Sequence, residues 1–148
     1  SVAVIFIPGP KTTAATRTTR LLAANSVPAS TVRFSQSSVN GAAEIEASMR
    51  ANGWVGDAID AVRMPDGGLT SLDNSRLLAA NRAGIDVQAS IRGFDEALPS
   101  SLVGRFTTTK GGVPSTWGDA VMNRIGNQSA GYGTANPFGS WVTGWSGN

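Results

Sequence analysis

The sequence predicts an α+β domain in which short strands and amphipathic helices alternate. Three observations carry this reading. Residues 59–91 run in the order strand, tight turn, strand, helix, strand. Two further stretches, Ala42–Asn52 and Thr116–Gln128, carry apolar residues at helical spacing. The 148 residues are 41% hydrophobic and 15% charged, which is enough apolar material for one domain with a core.

The central unit starts with Ile59–Met64, a β-prone run. Pro65-Asp66-Gly67-Gly68 follows as a turn, since Pro fixes φ and the glycines permit positive φ. Leu69–Leu72 resumes the alternation, so the two runs predict a hairpin. Asp73 is placed as an N-cap for a helix over Asn74–Ala83, with Leu77, Leu78, Ala80 and Ala83 on its apolar face and Gly84 as its C-terminal stop. Val87, Ala89 and Ile91 then alternate with polar residues as a half-buried strand does.

Elsewhere, Val2–Ile7 reads as a short strand, and Lys11–Ala24 as a linker or weak helix closed by Asn25–Pro28. Thr31–Phe34 reads as a strand. Gly53 ends the helix over Ala42–Asn52, and Trp54 is expected as a core anchor. Leu98–Val103 predicts a helical turn or more, and Arg105–Thr109 a strand. In the helix over Thr116–Gln128, Thr116 and Asp119 resemble a capping box, and Val121, Met122 and Ile125 supply the apolar face. From Ser129 the chain is rich in Gly and aromatics (Tyr132, Phe138, Trp141, Trp145). It is expected to wrap the domain irregularly, its rings serving packing ahead of base stacking. The resulting division is an N-terminal segment or linker over 1–30 and a single domain over 31–148.

Composition excludes several chemistries. The chain has no Cys, so disulfides, thiolate catalysis and zinc–thiolate sites are absent. It has no His, which removes the usual general base. Twelve Lys and Arg face ten Asp and Glu, a net charge of +2 that permits nucleic-acid binding without arguing for it. The pI of 9.7 overstates this surplus, because little titrates near neutrality. All the cations except Lys11 and Lys110 are Arg, the side chain better suited to phosphate. No apolar run reaches membrane-spanning length, and the apolar start lacks the basic leader of a signal peptide. Because the chain starts without Met, it is expected to be an excised domain or a C-terminal piece of something larger.

The residues that carry chemistry lie at the start of the central helix. Its free N–H groups and positive dipole end favour an anion, and Arg76 in its first turn adds a planar fork suited to phosphate or carboxylate. An Arg there opposes the dipole at a cost of about 0.3–1 kcal/mol unless an anion or carboxylate offsets it. The alternative is a purely structural one, with Asp73 only a cap and Arg76 paired to it or to a neighbour. Lys110-Gly111-Gly112 is a flexible basic loop able to face a phosphate, but it lacks P-loop spacing.

The order Val32-Arg33-Phe34-Ser35-Gln36, a helix with Ile45 and Ser48-Met49, Asn52-Gly53, Ile59-Asp60-Ala61-Val62, the Asp66-Gly67 turn, and Asp73-Asn74-Ser75-Arg76 leading to Ala79-Ala80 and Ala83-Gly84 resembles the ParB/sulfiredoxin superfamily. The resemblance covers 31–92. It implies a small mixed sheet with packed helices, followed by an irregular C-terminal extension. Asp73 stands where the family has Gly, and Ser75 where it has His, Arg or Cys. Sulfiredoxin chemistry needs a Cys and is excluded. The Leu-Asp-Asn-x-Arg-x-x-Ala-Ala variant looks more like ParB-like nuclease domains at the C-termini of bacterial polymorphic (Rhs-type) toxins.

That resemblance implies a phosphate or nucleotide site at Asp73, Asn74 and Arg76, with Gln36 on the facing strand end. Ser75, Lys110, Trp117 and Arg124 are further candidates for substrate contact. Three functions follow as expectations: a secreted or translocated effector that cuts nucleic acid in the target-cell cytoplasm and is held in check by a cognate immunity protein; a nucleotide-binding or phosphotransfer module; and a non-catalytic interaction domain. Hydrolysis here would use carboxylates through Mg²⁺, with Asp73 as ligand, or water positioned by Asn and Gln with Arg stabilising charge.

Overall fold

The structure, a computed structural model, describes residues 24–129 and 131–144. The expectations for Val2–Ile7, residues 11–23 and Trp145 lie outside them. The described chain forms a mixed five-stranded sheet in the order β1-β5-β3-β4-β2. Its strands are β1 (Asn25–Val27), β2 (Val32–Arg33), β3 (Ile59–Arg63), β4 (Leu69–Ser71) and β5 (Val87–Gly93). Strand β5 is antiparallel to β1 and parallel to β3, β3 is antiparallel to β4, and β4 is parallel to β2. The α+β class and the β3–β4 hairpin are as the sequence predicts.

Two stretches take a secondary structure other than the one the sequence predicts. Asn25–Val27, read as the close of a linker, is the edge strand β1, paired Asn25 to Ala89. Asn and Ser carry little strand preference, so only the pairing with β5 identifies it. The described fold therefore begins ahead of residue 31. Arg105–Thr109, read as a strand, instead divides between the end of α3 (Ser100–Phe106) and a tight turn closed by the Thr108–Gly112 bridge. The β-branched threonines suggested a strand, but Phe106 is drawn into the core as the last residue of a helix.

Helices cover both faces of the sheet. On one, α1 (Ala42–Asn52) and α2 (Asn74–Ala83) pack over Ile59, Ala61, Val87 and Ala89, burying Met49, Leu77 and Leu78. Alternation along β3 sends Val62 to the other face, where α3, α4 (Trp117–Gly126) and the short α5 (Tyr132–Ala135) build a second core with Phe106, Trp117, Val121, Ile125 and Tyr132. The capping box is formed: the Thr116 hydroxyl accepts from the Asp119 N–H at 3.0 Å, and the Asp119 carboxylate accepts from the Thr116 N–H at 3.3 Å. Met122, expected on the apolar face of α4, is instead 37% exposed. Trp54 is only half-buried beside the first core.

The segment after β5 thus builds the second core against Val62, Met64 and Leu72. Its last part closes the β2 edge, where Phe34 and Ser140 exchange backbone hydrogen bonds of 2.7 and 2.9 Å. Gly139 makes this approach feasible: a Cβ there would stand 2.6 Å from the Phe34 carbonyl oxygen, and its φ of +105° is one that side chains disfavour. The Tyr132 hydroxyl, 2.9 Å from Ser140 Oγ, ties the same segment from beneath, and burial raises its pKa above the ordinary phenol value. Trp141 stays exposed over the Arg33 guanidinium.

Candidate functional site

The sequence from Leu72 to Arg76 ends a strand and starts a helix within two residues, so Asp73 stands at the mouth of the sheet. One carboxylate oxygen accepts from the Arg76 N–H at 3.2 Å, as an N-cap should, and the other accepts from Arg76 Nε at 2.9 Å. The carboxylate offsets the dipole cost of placing Arg76 in this first turn. Arg76 Nη1 also donates to the Asp57 carbonyl at 2.6 Å, and the guanidinium lies 5.1 Å from the Trp54 ring centre. Arg76 is therefore held by its own neighbours on one side.

On its other side lies a cleft of about 120 Å³, lined among others by Asp60, Asp73, Arg76, Arg105 and Phe106. Asp60 reaches it from β3 and accepts from Arg92 Nε of β5 at 3.0 Å. Arg105 reaches it from α3. Arg124 of α4 stands beside it, 5.1 Å from the Phe106 ring centre. Burial and then the like charge of Arg105 lower the Arg124 pKa, while Asp73 acts in the opposite sense. Arg124 therefore feels both walls of the cleft.

Asp73 and Arg76 line the cleft, and Arg124 adjoins it. Asn74 is 2% exposed and acts as a staple: its Oδ1 accepts from the Ser35 N–H at 2.8 Å, and its Nδ2 donates to Ser35 Oγ at 3.0 Å. This brings the end of β2 to the start of α2, which places Gln36 next to the staple but not in the lining of the cleft. Gln36 offers its carbonyl to the Tyr132 hydroxyl at 3.3 Å. Ser75 donates to the Asn40 carbonyl at 3.2 Å.

Trp117 is not available to substrate. It is 2% exposed in the second core, with Arg92 over its face. The first N–H groups of α4 are taken as well, since Trp117 N–H donates to the Glu96 carbonyl and Gly118 N–H to that of Phe94. Lys110 lines a different cavity, with Gln128 and Thr134.

Sequence reading missed Asp60, Arg92 and Arg105. Asp60 had a signal, as an acidic residue inside a β-prone run, whereas Arg92 read only as one of the polar residues beside the Val87–Ile91 alternation. Arg105 had none while its segment was read as a strand. Among the described residues no group of three or more Asp and Glu is placed to hold a metal ion. No helix there is long and apolar enough to cross a membrane.

No protein-family model matches the chain, and no curated protein matches it. Among solved structures it is similar to sulfiredoxin from Arabidopsis thaliana, with 22% sequence identity, 47% of this chain and 84% of that chain covered, and a TM-score of 0.40.

Proposed function

We propose that the chain is a ParB-like effector domain of a bacterial polymorphic toxin, and that it hydrolyses nucleic-acid phosphodiesters in the cleft at the start of α2. The observation that carries this reading is the meeting of two carboxylates, Asp60 and Asp73, with the guanidinium groups of Arg76 and Arg105 in one cleft of about 120 Å³. In a chain without His or Cys, a carboxylate is the natural acceptor for the proton of an attacking water. Each carboxylate oxygen has two lone pairs, so Asp73 can hold Arg76 and still orient a water. Arg76 fixes Asp73 in place, and the arginines neutralise the charge that grows on the phosphate oxygens.

Mg²⁺ is compatible with this donor set. It is commonly held by one or two carboxylates together with water and substrate phosphate. Asp60 and Asp73 would be its ligands, each turning from its arginine to do so. The partners this reading implies are nucleic acid and an immunity protein that covers the cleft, with action in the cytoplasm of a target cell after translocation.

Nucleotide binding and phosphotransfer would use the same cations. The cleft is smaller than the ~300–1,000 Å³ of ordinary small-molecule pockets, so it suits a phosphate group better than a whole nucleotide. The test is incubation of the purified chain with DNA and with RNA, with and without Mg²⁺. Cleavage of either in any of these conditions supports the reading. Intact DNA and RNA in all of them refute it.

A further inference from the structure

Two cations, one in the lining of the cleft and one beside it, hold no anion among the described residues. Arg105 and Arg124 come from different helices, and each guanidinium lies 5.1 Å from the centre of the same Phe106 ring. Among the described residues neither has an ion pair or a side-chain hydrogen bond. The other buried or half-buried arginines among the described residues, Arg33, Arg76 and Arg92, each hold a carboxylate. Arg124 is half-buried and holds none. Its one favourable charge partner is Asp73, already shared with Arg76. The like charge of Arg105 bears on Arg124, and an anion placed between the two would offset that repulsion.

We infer that Arg105 and Arg124 form a two-pronged receptor for a dianionic phosphate monoester, the terminal phosphate of the substrate, seated over Phe106 at the edge of the cleft. The inference rests on the nucleic-acid reading only for the identity of the molecule that carries the phosphate. The charge match selects a monoester, because a terminal phosphate carries about −1.5 to −2 at neutral pH against −1 for an internal diester. Planar forks from two helices can each donate in pairs to its oxygens. The receptor then seats a phosphorylated strand end beside Asp73, making the domain selective for ends over internal sites.

The test is calorimetry of the full chain with inorganic phosphate, and with one short oligonucleotide carrying a 5′-phosphate, a 3′-phosphate or neither. Phosphate and one of the phosphorylated ends should bind. Arg105→Gln and Arg124→Gln should each weaken both by at least about tenfold, the scale of one lost charge-assisted contact. Arg105→Lys should fall between, and Arg82→Gln, on an exposed stretch of α2, should change nothing. Should Arg124→Gln unfold, the exposed Arg105 still decides the matter. Phosphate binding unchanged in Arg105→Gln overturns the receptor, as does equal binding of all three oligonucleotides. Phosphate binding lost in both variants by a chain that cuts no nucleic acid upholds the receptor and refutes the nuclease. Cleavage that ignores the end group, by a chain that binds all three oligonucleotides equally, does the reverse.

Discussion

Asp73 and Asn74 are adjacent yet do different work, and the difference follows from what each side chain meets. Asp73 faces the cleft and Arg76, whereas Asn74 turns inward to Ser35. Asn74→Ala should therefore destabilise by about 1–3 kcal/mol, because it leaves the buried Ser35 N–H without an acceptor. Denaturant unfolding would measure this, and an unchanged midpoint would remove the staple. The cap and the ion pair at Asp73 were legible in the sequence because cap, Arg and helix start lie within four residues. The role of Asn74 was not, because its partner is 39 residues away.

A second residue-scale consequence concerns acid. Two hydrogen bonds from the Arg33 guanidinium, 2.6 and 2.8 Å, hold the Asp66 carboxyl at about 2, below its ordinary 3.8. A depressed carboxylate contributes stability that is full above its unfolded value and fades as pH falls through its folded value. Wild type should thus be more stable than Asp66→Asn above about pH 4, and the gap should close as pH falls toward about 2. Thermal midpoints of the two proteins across that range check it. A gap independent of pH would contradict the pairing.

At the scale of elements, α1, α2 and α4 were legible because each carries its own punctuation. Gly53 and Gly84 stop the first two at φ of +76° and +72°, and Thr116 opens the third. Helix α3 was half-read because its C-terminal turn is Arg-Phe followed by threonines, and the pull of Phe106 into the second core is a tertiary effect. Leu77 is fully buried on α2, so Leu77→Ala should cost about 2–5 kcal/mol, measurable by denaturant unfolding. A loss under about 0.5 kcal/mol, the scale of an ordinary surface change, would mean that α2 does not pack as described.

The start of α4 gives a sharper case. A Cβ on Gly118 would lie 2.6 Å from the Phe94 carbonyl oxygen and 2.5 Å from its ring. The carbonyl is the acceptor for Gly118 N–H, so it cannot retreat without losing that bond. Gly118→Ala should lower the thermal midpoint by several degrees through overpacking, about 1–3 kcal/mol. A neutral Gly118→Ala would show that α4 stands further from β5.

At the scale of the molecule, the sheet separates two half-cores, and the cleft draws on both. Asp73 and Arg76 come from the α2 side, within the stretch whose strand, cap and helix were readable in the sequence. Arg105 and Phe106 come from α3, beyond it. One wall of the site could thus be read from sequence and the other could not. The second wall exists only once β3 alternation sends Val62 to the opposite face and α3 folds over it. Asp60, between the two, serves as the floor.

The most direct test of this account is the rate of nucleic-acid hydrolysis by Asp73→Asn beside wild type, with thermal midpoints of both. Asn keeps an oxygen for the Arg76 N–H, so the cap and the fold should survive and the midpoint should move by at most a few degrees. The proton acceptor is lost, and the rate should fall by about 10²–10⁴. A folded Asp73→Asn protein that cuts at the wild-type rate would make Asp73 a cap alone and take the catalytic centre out of this cleft.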